Sequence, residues 1–168
     1  MNHPLVKNTF LFIGLLLLQV LLFNHIEYWG YVNPMIYIVF VLVAPYRENQ
    51  VPYLLLSFLL GLSVDLFSNT GGLHAASIVF IAYLRSPILH IVFGKNFEYQ
   101  DLNLMSYPFT KVLSYTTLMV VLHHLLFYFL EMFTFAHWWV TTLKIIGASI
   151  FTITVCLLTI YLFSNTKK

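Results

Sequence analysis

Charged residues interrupt this chain rarely, and the intervals between them carry the pattern. Uncharged runs cover 8–26, 28–46, 49–64, 66–84, 112–130 and 145–166, which are 19, 19, 16, 19, 19 and 22 residues long. A helix rising about 1.5 Å per residue needs about 20 residues to cross about 30 Å of hydrocarbon. A transmembrane barrel would need shorter segments that alternate polar and apolar positions. Leu15-Leu16-Leu17-Leu18 and Leu54-Leu55-Leu56 do not alternate. The pattern predicts an all-α integral membrane protein, one domain over 1–168, with six transmembrane helices over about 9–26, 33–46, 52–68, 72–88, 110–131 and 140–163.

Prolines refine the ends. Pro34 and Pro52 fall in the first turns of the second and third predicted spans, where a missing N–H is harmless. Pro87 biases Ser86 away from helix, so the fourth span either stops there or kinks and continues to Phe93. The first span is preceded by Lys7 like a secretory signal, but Asn24-His25-Ile26-Glu27-Tyr28-Trp29 lacks a small-residue cleavage pattern. It reads as a retained anchor.

Composition agrees with the pattern. Of 168 residues 60% are apolar and 8% charged, and the mean hydropathy is +0.86. A soluble domain averages about 25% charged residues, so a soluble enzyme or nucleic-acid module is excluded. A net charge of +2 does not call for a nucleic-acid partner. The lone Cys156 allows neither an intrachain disulfide nor a cysteine-cluster metal site. The bases give orientation: Lys7, Arg47, Lys95, Lys111, Lys167 and Lys168 all fall on one side of a six-span topology. The opposite loops, 27–32, 69–71 and 132–139, hold no Lys or Arg. The positive-inside rule then puts both termini in the cytoplasm. Tyr28, Trp29, Tyr31, Trp138 and Trp139 mark the outer interface.

Ionisable residues inside a bilayer cost about 2.5–3.5 kcal/mol on insertion scales and generally have a purpose. Asp65 is the foremost. With Ser57 and Gly61 it lies at i, i+4, i+8 on one helix face, small enough for another helix to approach. That face serves either a partner helix or an internal seam, with Asp65 bonded to the turn beyond it. Gly72 and Ala76 continue the spacing after Ser68-Asn69-Thr70-Gly71-Gly72, which predicts a tight hairpin of spans three and four. Arg85, carried toward the cytoplasmic side, reads as snorkelling to lipid headgroups. Lys144, Ala148 and Thr152 set a snorkelling base over a packing face.

Candidate chemistry is thin. His123 and His124 are adjacent and point about 100° apart, and with Glu131 they do not form the two-His, one-Glu spacing of zinc proteases. No metal or other cofactor is expected. Gly61-Leu62-Ser63 begins like a nucleophile motif, yet Val64 stands where an oxyanion glycine would be needed. No catalytic residue is assigned.

Gly61-Leu62-Ser63-Val64-Asp65, Gly72-Leu73-His74-Ala75 and Tyr83-Leu84 together resemble the bacterial rod shape-determining protein MreD family. Asn33-Pro34 at the second span and the near absence of soluble mass fit as well. The chain departs from many relatives in lacking a basic cluster after the fourth span, where only Arg85 and Lys95 stand. The resemblance implies a fold like the membrane components of energy-coupling-factor transporters. It implies a non-catalytic scaffold in the inner membrane, supporting lateral peptidoglycan synthesis and cell shape. Its partners would be MreC, MreB, RodA and penicillin-binding protein 2. The alternative is the substrate-binding membrane component of a vitamin-type small-molecule transporter. A polar central cavity would favour that carrier; an apolar outer groove beside the third span would favour the scaffold.

The topology is testable with an impermeant thiol reagent on intact cells. In a Cys156→Ser background, cysteines at Asn2 and Thr166 should be protected and one at Ala136 should label. Labelling at either terminus overturns the six-span arrangement.

Overall fold

In apolar surroundings each backbone N–H and C=O must find a partner within the protein, and a helix achieves this locally. The computed structural model describes residues 4–26, 33–44, 50–94, 104–132 and 138–164, which build a bundle of helices with no strand among the described residues. These are α1 (Pro4–Leu21), α2 (Ile38–Val43), α3 (Val51–Ser68), α4 (Leu73–Phe93), α5 (Phe109–Met132) and α6 (Trp138–Ser164). Short 3-10 turns occupy Phe23–His25 and Leu104–Ser106.

Four of the helices, α3 to α6, are long and apolar enough to cross a membrane. Outward they show Leu, Ile and Phe, such as Leu66, Ile91, Phe129 and Leu158, a surface suited to a lipid bilayer. The apolar part of α1 is shorter, Asn8–Leu21. Consecutive helices α3–α4, α4–α5 and α5–α6 pack side by side. Trp138 and Trp139 are exposed at the start of α6. Glu27, Tyr28, Trp29, Tyr31, Arg47, Lys95, Lys167 and Lys168, together with Asn2, Ala136 and Thr166, lie outside the described residues.

The second predicted span differs most from expectation. Instead of a helix over 33–46, only Ile38–Val43 are helical, and Pro34 lies ahead of that helix rather than in its first turn. The approach is made by three-residue turns: Ile38 N–H donates to Met35 O at 3.4 Å, and Val39 N–H to Ile36 O at 2.9 Å. Met35 N–H leaves the ladder altogether and donates to Thr152 Oγ1 on α6 at 3.1 Å. Irregular backbone is tolerated here because protein surrounds it. Met35 to Leu42 are each 4% exposed or less. The segment is apolar on all sides because α1, α4, α5 and α6 all pack against it.

Pro87 settles as a continuation: α4 passes through it and ends at Phe93, followed by Gly94 at φ 98°. Arg85, on the same helix, is corrected more sharply. It does not snorkel but is 1% exposed, at the C-terminal end of α2. Its Nη2 donates to Ala44 O and reaches Leu42 O at 3.5 Å, while Nε donates to Tyr115 Oη at 3.2 Å. The Tyr53 ring lies 5.2 Å from the guanidinium carbon. The last carbonyls of a helix lack internal partners and carry partial negative charge. A guanidinium with five donors and an affinity for aromatic faces meets that need better than lipid headgroups could.

Arg85→Leu strips the donors from these carbonyls, which should cost about 2–4 kcal/mol and lower the melting temperature of the detergent-solubilised protein by about 4–16 °C. Arg85→Lys, which keeps the charge and some donors, should lose less. Equal melting of all three proteins would show the cap to be dispensable.

Candidate functional site

The hairpin of α3 and α4 begins with a close backbone contact. A Cβ at Gly61 would lie 2.6 Å from Ala75 Cα and 2.8 Å from His74 O, so only glycine fits. Four residues on, Asp65 is 4% exposed and turned toward the start of α4. Its Oδ1 accepts from His74 N–H at 3.0 Å and from the Thr70 hydroxyl, and its Oδ2 accepts from Ala75 N–H at 2.8 Å. These two N–H groups are the ones an N-cap side chain ordinarily satisfies. Gly72, the residue at the cap position, has no side chain to offer and sits at φ 99°. Asp65 therefore caps α4 from the neighbouring helix, and its charge is balanced by the positive end of the helix dipole.

Of the other residues assigned to this face, Ser57 is fully buried and its hydroxyl donates back to Tyr53 O at 2.9 Å. Gly72 is half-buried at the cap. Ala76 is exposed, and Ala75 takes the contact with Gly61 instead. The register differs by one because Asp65 holds the residues at the second and third helical positions, which turns Ala75 and not Ala76 toward α3.

His74 links the hairpin to the bundle centre. Tyr37 Oη lies 2.8 Å from His74 Nδ1 and 2.8 Å from His123 Nε2. Having one proton, the phenol donates to one ring and accepts from the other. His123 Nδ1 is buried without a partner. His124 takes a separate route: Nδ1 faces Val120 O at 2.8 Å, so it carries the proton, and Nε2 lies 3.4 Å from Thr152 Oγ1. The two histidines thus diverge, and no three His, Cys, Asp or Glu gather around a metal position among the described residues. The Ser63 hydroxyl donates to Leu59 O at 2.7 Å on its own helix.

Above His74 opens a polar cavity of about 460 Å³, with Gln19, Asn33, Ser68, His74, Glu131 and Lys144 among its walls. Gln19, Ser68 and Glu131 come from the ends of α1, α3 and α5, His74 and Lys144 from the starts of α4 and α6, and Asn33 from the stretch ahead of α2, so successive elements alternate in direction. Lys144 contributes to this wall, while Ala148 and Thr152 below it are fully buried. Gln19 and Asn33 are uncharged wall residues, and only Asn33, through Asn33-Pro34, enters the reading of the sequence. Their signal is present, since Gln19 is an amide directly after four leucines.

Asp65→Asn should keep the Thr70 and His74 bonds but set an amide N–H against Ala75 N–H; Asp65→Leu loses all three. The melting temperature should fall in the order wild type, Asn, Leu, with Leu losing about 3–5 kcal/mol. An Asn variant that melts with wild type would show that the second carboxylate oxygen is not needed. Compared with protein-family models, with curated proteins and with solved structures, the chain matches none.

Proposed function

We propose that this protein is an MreD-like, non-catalytic scaffold of the cell-elongation machinery. In this reading it crosses the bacterial inner membrane six times with both termini in the cytoplasm. It holds an MreC-like bitopic partner beside MreB, RodA and penicillin-binding protein 2, and so supports peptidoglycan synthesis and cell shape. The sequence resemblance through Gly61, Asp65, Gly72 and Tyr83-Leu84 motivates it.

The observation that carries it is the outer face of α3. Val51, Leu55, Phe58, Leu59 and Leu66 form one exposed apolar stripe at helical spacing. Only 28% of this helix is buried, the least among the four long helices. The Gly61 contact and the Asp65 cap tie the same helix firmly to α4, which makes the stripe a stiff surface for a partner helix. A second reading, the membrane component of a small-molecule carrier, is favoured by one specific observation, the polar cavity.

Affinity purification of the tagged protein from membranes separates these. The scaffold reading expects an MreC-like protein and wall synthases to co-purify. Leu55→Ala with Phe58→Ala should lower that recovery about tenfold, as expected for losing a central apolar anchor. Ile150→Ala with Leu158→Ala, on the exposed face of α6, should not. Absence of those partners, or an equal loss from both pairs, sinks the scaffold.

A further inference from the structure

One phenol joins two helices at the bundle centre, and a buried nitrogen fixes where its hydrogen points. Tyr37 Oη lies 2.8 Å from His74 Nδ1 on α4 and 2.8 Å from His123 Nε2 on α5. With one hydrogen, it keeps both bonds only if one of those nitrogens is bare and the other protonated. The far nitrogen of His123, Nδ1, is sealed from water and has no partner. A buried N–H without an acceptor is a rarer orphan than a buried acceptor without a donor. His123 therefore keeps its hydrogen on Nε2 and donates it to Tyr37. Tyr37 in turn donates to His74 Nδ1, which leaves the His74 hydrogen on Nε2. That nitrogen has no protein partner among the described residues. Unlike His123 Nδ1 it is not sealed, so it is the ring's contact with the cavity that His74 helps to line.

A second arrangement of the same atoms is available. Tyr37 Oη also lies 3.8 Å from Met35 Sδ, a weak acceptor. If His74 carries hydrogen on both nitrogens, its Nδ1 becomes a donor and the bond to Tyr37 reverses. The phenol oxygen then accepts from both rings, and its own hydrogen turns to the sulfur of Met35. Around His74 stand Asp65 on α3, His123, His124, Tyr128 and Glu131 on α5, and Lys144 on α6. From α1 only the uncharged Gln19 and Val20 reach the cavity. Among the described residues Tyr37 alone hydrogen-bonds the His74 ring. We propose that His74 is a proton-binding site loaded from the cavity, and that Tyr37 reports its occupancy by turning its hydroxyl from His74 to Met35. The proton comes from hydronium in the cavity, which is left as water; one N–H bond forms on His74 and the protein loses none. Met35 is the residue whose N–H is held by Thr152 of α6, so the signal ends where the buried segment is fastened. On the six-span topology the cavity opens outward, while the site itself stands apart from both the scaffold and the carrier readings.

The test is nitrogen NMR of ring-labelled histidines in the full chain, held in phosphatidylcholine nanodiscs and titrated from about pH 8 to 4, a range that brackets the ordinary histidine value. His74→Asn and His123→Asn assign the signals. At pH 8 both His74 and His123 should show a bare Nδ1 and a protonated Nε2. On acidification His74 should gain its second hydrogen before His123 and His124, and the His123 Nε2 signal should move in step with it. In Tyr37→Phe that joint movement should vanish, since no hydroxyl links the rings. Met35→Leu removes the second acceptor of the hydroxyl, so half-titration of His74 should move to lower pH by about half a unit. The wild-type protein carries the decisive readouts even if a variant fails to fold. A His74 hydrogen on Nδ1 at pH 8 overturns the proposal, as does a His74 that gains no second hydrogen down to pH 4. So does a His123 signal that ignores the titration of His74, or one that still follows it in Tyr37→Phe.

Discussion

The carboxylate of Asp65 satisfies the first turn of a helix to which it does not belong. Without it, the backbone N–H groups of His74 and Ala75 would face an apolar interior with no side chain at Gly72 to receive them. Because the cap is supplied across the hairpin, it sets the height of α4 against α3. Gly61 sets their separation, since its missing Cβ leaves the backbone of Ala75 in contact. The position of His74, one residue before that contact, follows from both. Tyr37 then finds His74 and His123 at equal distance, and the polar centre of the bundle is placed by a hairpin at its edge.

Arg85 performs the matching task at the other end of the buried segment. One residue carries negative charge to a helix start and the other positive charge to a helix end, and among the described residues each is met by backbone groups. Between them lies an interior where polar groups are matched almost one to one, around Tyr37, His124 and Thr152. The exceptions are concentrated on a few atoms, among them Gln19 Oε1 and Asn33 Oδ1 beside the cavity.

Much of this was legible in the residues. The spans predicted from the uncharged runs placed α3, α5 and α6 within two residues at each end and the start of α4 within one, because a helix that faces lipid must be apolar throughout its length. The spacing of Ser57, Gly61 and Asp65 pointed to a close-packed face, since small size and helical period are local properties. What escaped was whatever depends on partners distant in sequence. The shortness of α2 could not be read from Pro34 onward, because Thr152 supplies the bond that replaces a helical one. Arg85 looked like a snorkelling base for the same reason: its acceptors at Leu42 and Ala44 belong to another part of the chain. The uncharged amides of the cavity, Gln19 and Asn33, are brought together only by the fold.

The buried segment has a consequence for how the protein is made. Met35 depends on a hydroxyl 117 residues later in the chain, and Tyr37 on a histidine 86 residues later. When residues 33–44 leave the ribosome, none of α4, α5 or α6 exists to enclose them. A helix of six residues cannot satisfy so much backbone alone in hydrocarbon. The segment must therefore wait in a watery or chaperoned place, or enter as a loose helix that later unwinds at its start. Closure of the bundle's centre thus awaits α6, and a truncation ahead of Thr152 would be felt at Met35.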